Sequence, residues 1–186
     1  NAFVNMSFIN ITFTFRRNAI VFVLKMKKAI FLDRDGVINL EKKDYVKSIK
    51  EFQIRDDVPK AIAKLKEKGF LVIVITNQSA INRKLLKIEV LNEIHNHLQK
   101  ILRISNNTSI DYFYFCPHRP DEKCECRKPN PGMLLKAAQD HDIEMNQSFM
   151  IGDSLTDIQA AEKAGCKGIL LNHDQNLLEL ITEKLK

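Results

Sequence analysis

Ala29-Ile30-Phe31-Leu32-Asp33-Arg34-Asp35-Gly36-Val37 decides the fold. Four apolar residues run straight into two carboxylates and a glycine. A short apolar run bounded by turn residues reads as a buried strand. Asp33 stands where that strand emerges, and Gly36 lets the chain turn sharply away. Two acids held close at the end of a buried strand repel each other. A divalent cation is the simplest charge to offset them. Asp and Gly are also ordinary turn formers, so the stretch alone leaves a plain strand-to-turn junction open. An EF-hand loop is excluded, since its glycine falls later and it closes with a Glu missing here.

Outward from this stretch, apolar runs alternate with amphipathic ones. Phe70 to Ile75 is the strongest strand and ends in Thr76-Asn77-Gln78-Ser79. Further strands are expected at Ile110–Phe115, at Phe149–Gly152 ahead of Asp153-Ser154-Leu155-Thr156-Asp157, and at Gly168–Leu171. Asp56-Asp57-Val58-Pro59 reads as a helix start, with acids and a proline in the first turn and Gly69 as the stop. Ile88, Leu91, Ile94, Leu98 and Ile101 share one face of a helix over roughly Leu85–Leu102. That helix also carries His95 and His97, read as structural. Helices are expected at Pro131–Asp140, Ile158–Ala164 and Leu177–Leu185, and Ile38–Arg55 is polar and irregular. Strands alternating with helices give the α/β class: a three-layer, Rossmann-like parallel sheet with helices on both faces.

The 186 residues suit one domain, and a 45% hydrophobic, 28% charged composition is that of a globular protein. The net charge of +6 invites a nucleic-acid reading, but Arg16, Arg17 and Lys25 supply +3 of it with no acid in residues 1–25. The rest has mixed signs and no basic block, so no nucleic-acid partner is expected. A small anionic substrate suits this balance. Residues 1–25, rich in Phe, Asn and Thr, differ in character from the remainder of the chain. Arg16-Arg17 splits them short of a membrane span, and no membrane association is expected. They read as an extension outside the fold, with the functional domain at 26–186. Three of the four cysteines fall between Cys116 and Cys126, which suggests metal binding in a reducing, cytoplasmic setting rather than a disulfide framework. A monomer is expected.

In an open parallel sheet the C-terminal strand ends line one rim, where ligands bind. That rule gathers Asp33, Asp35, Thr76, Asp153 and Asp157, with Lys128 entering from a loop. Acids for a cation, with a hydroxyl and a lysine for an anion, make a phosphoryl site. The pattern resembles the haloacid dehalogenase superfamily of phosphatases over residues 27–172. Its four parts are Asp33 to Val37, Thr76-Asn77-Gln78-Ser79, Arg127-Lys128-Pro129 and Gly152-Asp153-Ser154-Leu155-Thr156-Asp157. The resemblance implies that Asp33 attacks phosphorus and forms an aspartyl-phosphate. It implies that Asp35 protonates the leaving alkoxide and then activates water. Mg²⁺ would be held by Asp33, the backbone carbonyl of Asp35, and Asp153, with Asp157 orienting the shell. Thr76 and Lys128 would bind the phosphoryl oxygens. Crowding by other carboxylates would favour the protonated form of Asp35.

Cys116, His118, Cys124 and Cys126 form a Cys₃His set in one short loop, suited to tetrahedral Zn²⁺. Four ligands close the sphere, so a structural zinc is expected in loop 116–126. A zinc loop directly before Arg-Lys-Pro narrows the resemblance to the heptose 1,7-bisphosphate phosphatases and the related histidinol-phosphatases, which have little or no cap domain. Asp44-Tyr45-Val46 and Asn130-Pro131-Gly132 lean toward the heptose branch. Ala80-Ile81-Asn82-Arg83-Lys84 and Glu41-Lys42-Lys43 depart from the usual pattern near the substrate side. The expected substrate contacts are Asn77, Gln78, Ser79, Arg127, Asp44 and Tyr45. Three functions stay open: a heptose bisphosphate 7-phosphatase, a histidinol-phosphate phosphatase, or a zinc-stapled module that binds without catalysis.

Overall fold

The computed structural model describes residues 11–16, 19–24 and 26–185. Strands β1 (Ile11–Arg16) and β2 (Ala19–Leu24) pair antiparallel as a hairpin with its own two-stranded sheet. The expectation of an extension did not include these strands. The rest of residues 1–25 lies outside the described residues.

Five strands form the main sheet: β3 (Ala29–Leu32), β4 (Leu71–Asn77), β5 (Tyr112–Cys116), β6 (Phe149–Gly152) and β7 (Lys167–Leu170). Their order is β5-β4-β3-β6-β7, and every pairing is parallel. The chain builds outward from β3 to β5, then returns to β3's other side. Strand order therefore reverses between β3 and β6, where parallel sheets open a crevice for ligands.

Successive residues of a strand face opposite sides, and the core divides accordingly. Ile30, Leu32, Val72, Val74 and Ile151 pack on one face, with Ala61, Ile62 and Leu65 of α1 (Val58–Glu67), Ile94 and Leu98 of α2 (Ile88–Asn106), and Leu180 and Ile181 of α5 (Leu177–Lys184). Ala29, Phe31, Ile73, Ile75 and Met150 pack on the other, against Leu134 and Ala137 of α3 (Gly132–His141) and Ala160 and Ala161 of α4 (Leu155–Ala164). Burial on both faces is why these strands read as unbroken apolar runs. Between β3 and α1 the chain forms one 3-10 turn at Ile49–Glu51 and isolated bridges, with no inserted domain. No helix among the described residues is long and apolar enough to cross a membrane.

Two helices differ most from the sequence expectation, for local reasons. Helix α4 starts at Leu155, not Ile158, because Ser154 caps it: its hydroxyl and Asp157 form a reciprocal capping box. Helix α2 starts at Ile88 because the preceding turn is closed by Leu85 and Leu86 amides on the Ala80 carbonyl. It runs on to Asn106 and ends with Asn107 in the left-handed conformation, which asparagine tolerates.

Candidate active site

Asp33 leaves the end of β3, and its amide still bonds the Ile151 carbonyl of β6 at 3.0 Å. Lys128, 3% exposed, reaches under it. Its Nζ lies 2.9 Å from Asp33 Oδ1, 2.6 Å from Asp157 Oδ1 and 2.8 Å from the Ile75 carbonyl. Burial works against the Lys128 ammonium, yet Asp33 and Asp157 outweigh it and raise its pKa above the ordinary lysine range. Burial also pushes the Asp33 carboxyl up to about 7, against the pull of Lys128, with Asp157 and Asp35 adding to the rise. Asp153 is raised by burial first and by Asp157 second.

Oxygens of Asp33, Asp153 and Asp157 lie within 4.8 Å of one another. Three carboxylates against one ammonium are short of positive charge. An all-oxygen donor set of that kind fits a hard cation such as Mg²⁺. Asp157 is fully buried, and its Oδ2 accepts from the amide and hydroxyl of Ser154 at 3.1 and 2.9 Å. It thus ties the Lys128 ammonium to the start of α4, in keeping with an orienting part. Gly36 (φ +82°) passes so close that a Cβ there would sit 1.8 Å from Asp153 Oδ2.

Asp35 turns the other way. Its Oδ1 accepts from Arg34 Nε (3.3 Å), Arg34 Nη2 (2.9 Å) and Asn39 Nδ2 (3.0 Å). Its Oδ2 accepts from Arg34 Nη2 (2.8 Å) and Gln78 Nε2 (2.9 Å). Beside the neighbouring acid Asp33, a guanidinium and two amides hold these oxygens, partners that the sequence reading did not include. Arg34 and Asn39 were missed by sequence reasoning. An arginine between two aspartates reads as a surface charge unless its burial is known.

The Thr76 to Ser79 segment holds the site together from β4. Thr76, 1% exposed, shares the Gln78 amide with Asp35, at 2.9 Å. Asn77 clasps the Lys128 backbone with both ends of its amide: Nδ2 donates to the Lys128 carbonyl and Oδ1 accepts from its N–H, each at 3.1 Å. Asn77 and Gln78, expected on substrate, thus spend their amides on Lys128, Asp35 and Thr76. Ser79 is buried, 3.4 Å from the Tyr45 hydroxyl. Asp44 is exposed beside Tyr45. Arg127 is half-buried, with Nη1 donating to the His118 carbonyl at 3.1 Å. Beside Asp153 and Gly36 a cleft of about 900 Å³ opens, lined also by Glu41, Arg55, Asp57 and His173.

Loop 116–126 brings its four candidate ligands together. Cys116 Sγ lies 3.5 Å from Cys124 Sγ, 3.1 Å from Cys126 Sγ and 3.5 Å from His118 Nδ1. Cys124 and Cys126 sulfurs are 3.4 Å apart, and His118 Nδ1 is 3.3 Å from Cys126 Sγ. Three sulfurs and one nitrogen at the corners of a small tetrahedron fit zinc, a borderline-soft ion. Glu125 and Cys124 carbonyls accept from the Gly132 amide and the Asn130 side chain, which fastens the loop across the lysine segment.

The haloacid dehalogenase-like hydrolase model matches residues 11–165. The chain is 39% identical over 148 residues to a D-glycero-beta-D-manno-heptose-1,7-bisphosphate 7-phosphatase of Helicobacter pylori, covering 80% of this chain and 85% of that one. It is 44% identical over 140 residues to the Yersinia pestis enzyme of the same name, covering 72% and 73%. Among solved structures it resembles a D,D-heptose 1,7-bisphosphate phosphatase from B. bronchiseptica, complexed with magnesium and phosphate. The TM-score is 0.77 at 34% identity, over 85% of this chain and 98% of that one. Aspartates at the ends of β3 and β6, a threonine at the end of β4 and a buried lysine between them are thus joined by likeness along most of the sequence: the chain belongs to the haloacid dehalogenase-like hydrolases.

Proposed function

We propose that the protein is a Mg²⁺-dependent phosphatase removing the 7-phosphate of D-glycero-D-manno-heptose 1,7-bisphosphate, a precursor of lipopolysaccharide core heptose. The observation that carries the chemistry is the carboxylate of Asp33, fixed at the tip of the central strand between the Lys128 ammonium and the Asp153–Asp157 pair. The substrate rests on the names of the relatives, each a heptose 1,7-bisphosphate 7-phosphatase at 36–44% identity.

In this reading an Asp33 oxygen attacks phosphorus and the P–O bond to the sugar breaks. The Asp35 proton goes to the departing alkoxide. Asp35 then takes a proton from water, whose oxygen attacks the phosphorus. The acyl-phosphate bond breaks, releasing inorganic phosphate and restoring Asp33. Thr76 Oγ1 and Lys128 Nζ hold the phosphoryl oxygens, and Asn77 keeps Lys128 in reach through its backbone. Mg²⁺, held by Asp33, the Asp35 carbonyl and Asp153, would neutralise the negative charge that gathers as carboxylate meets phosphate. Zn²⁺ on Cys116, His118, Cys124 and Cys126 would stiffen the loop that delivers Arg127 and Lys128. Arg127, Tyr45, Asp44 and Ser79 are proposed as contacts to the remainder of the substrate. Residues 26–186 are proposed to hold this activity as a cytoplasmic monomer, with no nucleic-acid or membrane partner.

Gly36→Ala tests the metal assignment. Its methyl would force Asp153 aside, and its backbone conformation disfavours any Cβ. The Mg²⁺ concentration giving half-maximal activity should rise by about tenfold or more. An unchanged Mg²⁺ titration would remove Asp153 from the metal shell.

Histidinol phosphate is the competing substrate, and acids such as Glu41 and Asp57 along the cleft would suit its ammonium. A side-by-side kcat/KM comparison decides, since that ratio measures discrimination. Heptose bisphosphate should be preferred by about tenfold or more, with the β-anomer assayed first because the relatives are named for it. A tenfold preference for histidinol phosphate would overturn the heptose assignment. No turnover of any phosphate monoester would favour the binding-only module.

A further inference from the structure

We propose that Arg34 is the positioning residue for Asp35, its buried guanidinium fixing the direction from which that carboxyl meets the leaving-group oxygen. This rests on the reading of Asp35 as proton donor. Arg34 is wholly buried and is the largest such side chain among the described residues. Burying a cation is costly unless it is paired and hydrogen-bonded. Here the pairing has a single destination. Nε and Nη2 both donate to Asp35, while Nη1 is buried without a hydrogen-bond partner. Asp35 is the carboxylate that Arg34 pairs with among the described residues.

Adjacent side chains on a strand point to opposite faces. Arg34 and Asp35 meet only because the chain leaves β3 in a turn, with the Ile38 and Asn39 amides on the Arg34 carbonyl. His95 completes the setting from α2. It is buried and stacks on Phe113 at 4.3 Å between ring centroids. Burial first, and the Arg34 charge second, hold its pKa down to about 3, so it stays neutral and adds no competing charge. A guanidinium fork grips both oxygens of a carboxylate in one plane, which a lysine cannot do. With Asn39 and Gln78 on the flanks, the Asp35 carboxyl keeps one orientation, and its side chain remains 30% exposed.

A sugar alkoxide needs a proton to leave, whereas p-nitrophenolate leaves without one. The test is therefore single-turnover release of each alcohol, from heptose bisphosphate and from p-nitrophenyl phosphate. Arg34→Gln should slow sugar release about a hundredfold, the usual contribution of a general acid, and nitrophenolate release by less than about threefold. Arg34→Lys keeps the charge and loses the fork. It should show the same selective loss, and it serves alone if Arg34→Gln does not fold. Equal slowing of both releases, or of neither, in a folded variant would overturn the proposal. Asp35→Asn run alongside separates the two levels. If it loses sugar release selectively and the Arg34 variants do not, only the part given to Arg34 fails. If Asp35→Asn is itself unselective, the reading of Asp35 fails first.

Discussion

Asp33→Asn is expected to lower turnover by about four orders of magnitude or more, the scale seen when a covalent nucleophile is removed, with the fold intact. The amide keeps the shape of the carboxylate but cannot form an acyl-phosphate. Stability should move the other way in Mg²⁺-free buffer. Burial raises the Asp33 carboxyl to about 7, so the folded chain binds this proton more tightly than the unfolded one. That contribution is full below the ordinary carboxylate range and is lost as pH rises through about 7. At pH above 7 the native protein carries a buried charge that the variant lacks, and the variant's Tm should equal or exceed the native one. Single-turnover phosphate release and thermal melts across pH measure both effects. Residual turnover near the native rate would end the covalent mechanism. A Tm far below native at alkaline pH would mean that Asp33 is chiefly a structural partner of Lys128.

The second large effect is expected at the cysteine loop. Protein purified without chelator should carry one zinc per chain, as a closed Cys₃His set requires. Cys124→Ser should lose it. Zinc contributes on the order of 10 kcal/mol where it replaces a core, as in small fingers. Here the sheet has two apolar faces, and the loop touches only one of them, through Cys116, Cys124 and Cys126, so the fold should survive with that side loosened. That loop includes the carbonyls fastening Asn130 and Gly132, and Lys128 lies directly after it. The variant should therefore lose about tenfold to a hundredfold in kcat/KM, as when the support of a site is removed, together with a lower Tm. Burial pushes the Cys116 thiol up, so zinc must displace a proton there and its affinity should weaken in acid. Metal analysis finding no zinc would refute the assignment.

The strands were legible because both faces of the sheet are covered, which leaves continuous apolar runs such as Phe70 to Ile75. The acids were legible because strand ends gather on one rim. What escaped was whatever depends on burial or on a shared partner. Asp157 was visible as an acid, but not as the capping partner of Ser154 that starts α4 early. Asn77 and Gln78 have the chemistry of substrate contacts, and only the fold shows them holding Lys128, Asp35 and Thr76. Arg34 gave no signal, because nothing in a lone sequence separates a buried arginine from a solvated one. Strand β1 had one: Thr and Phe alternate from Thr12 to Phe15, a period of two.

Because the chain builds β3, β4 and β5 before returning with β6 to β3's free side, the acids of the cation site come from distant parts of the sequence. During synthesis Asp33 emerges early, whereas Asp153 and Asp157 emerge near the end. Until β6 docks, Asp33 lacks its carboxylate neighbours Asp153 and Asp157, and the three-acid set is incomplete. Contacts of such long sequence separation form slowly. A cation that binds only the finished arrangement then draws the folding equilibrium forward by mass action. The three acids come together only as β6 docks, with β7 still to be added at the edge, so a fragment released before β6 lacks Asp153 and Asp157.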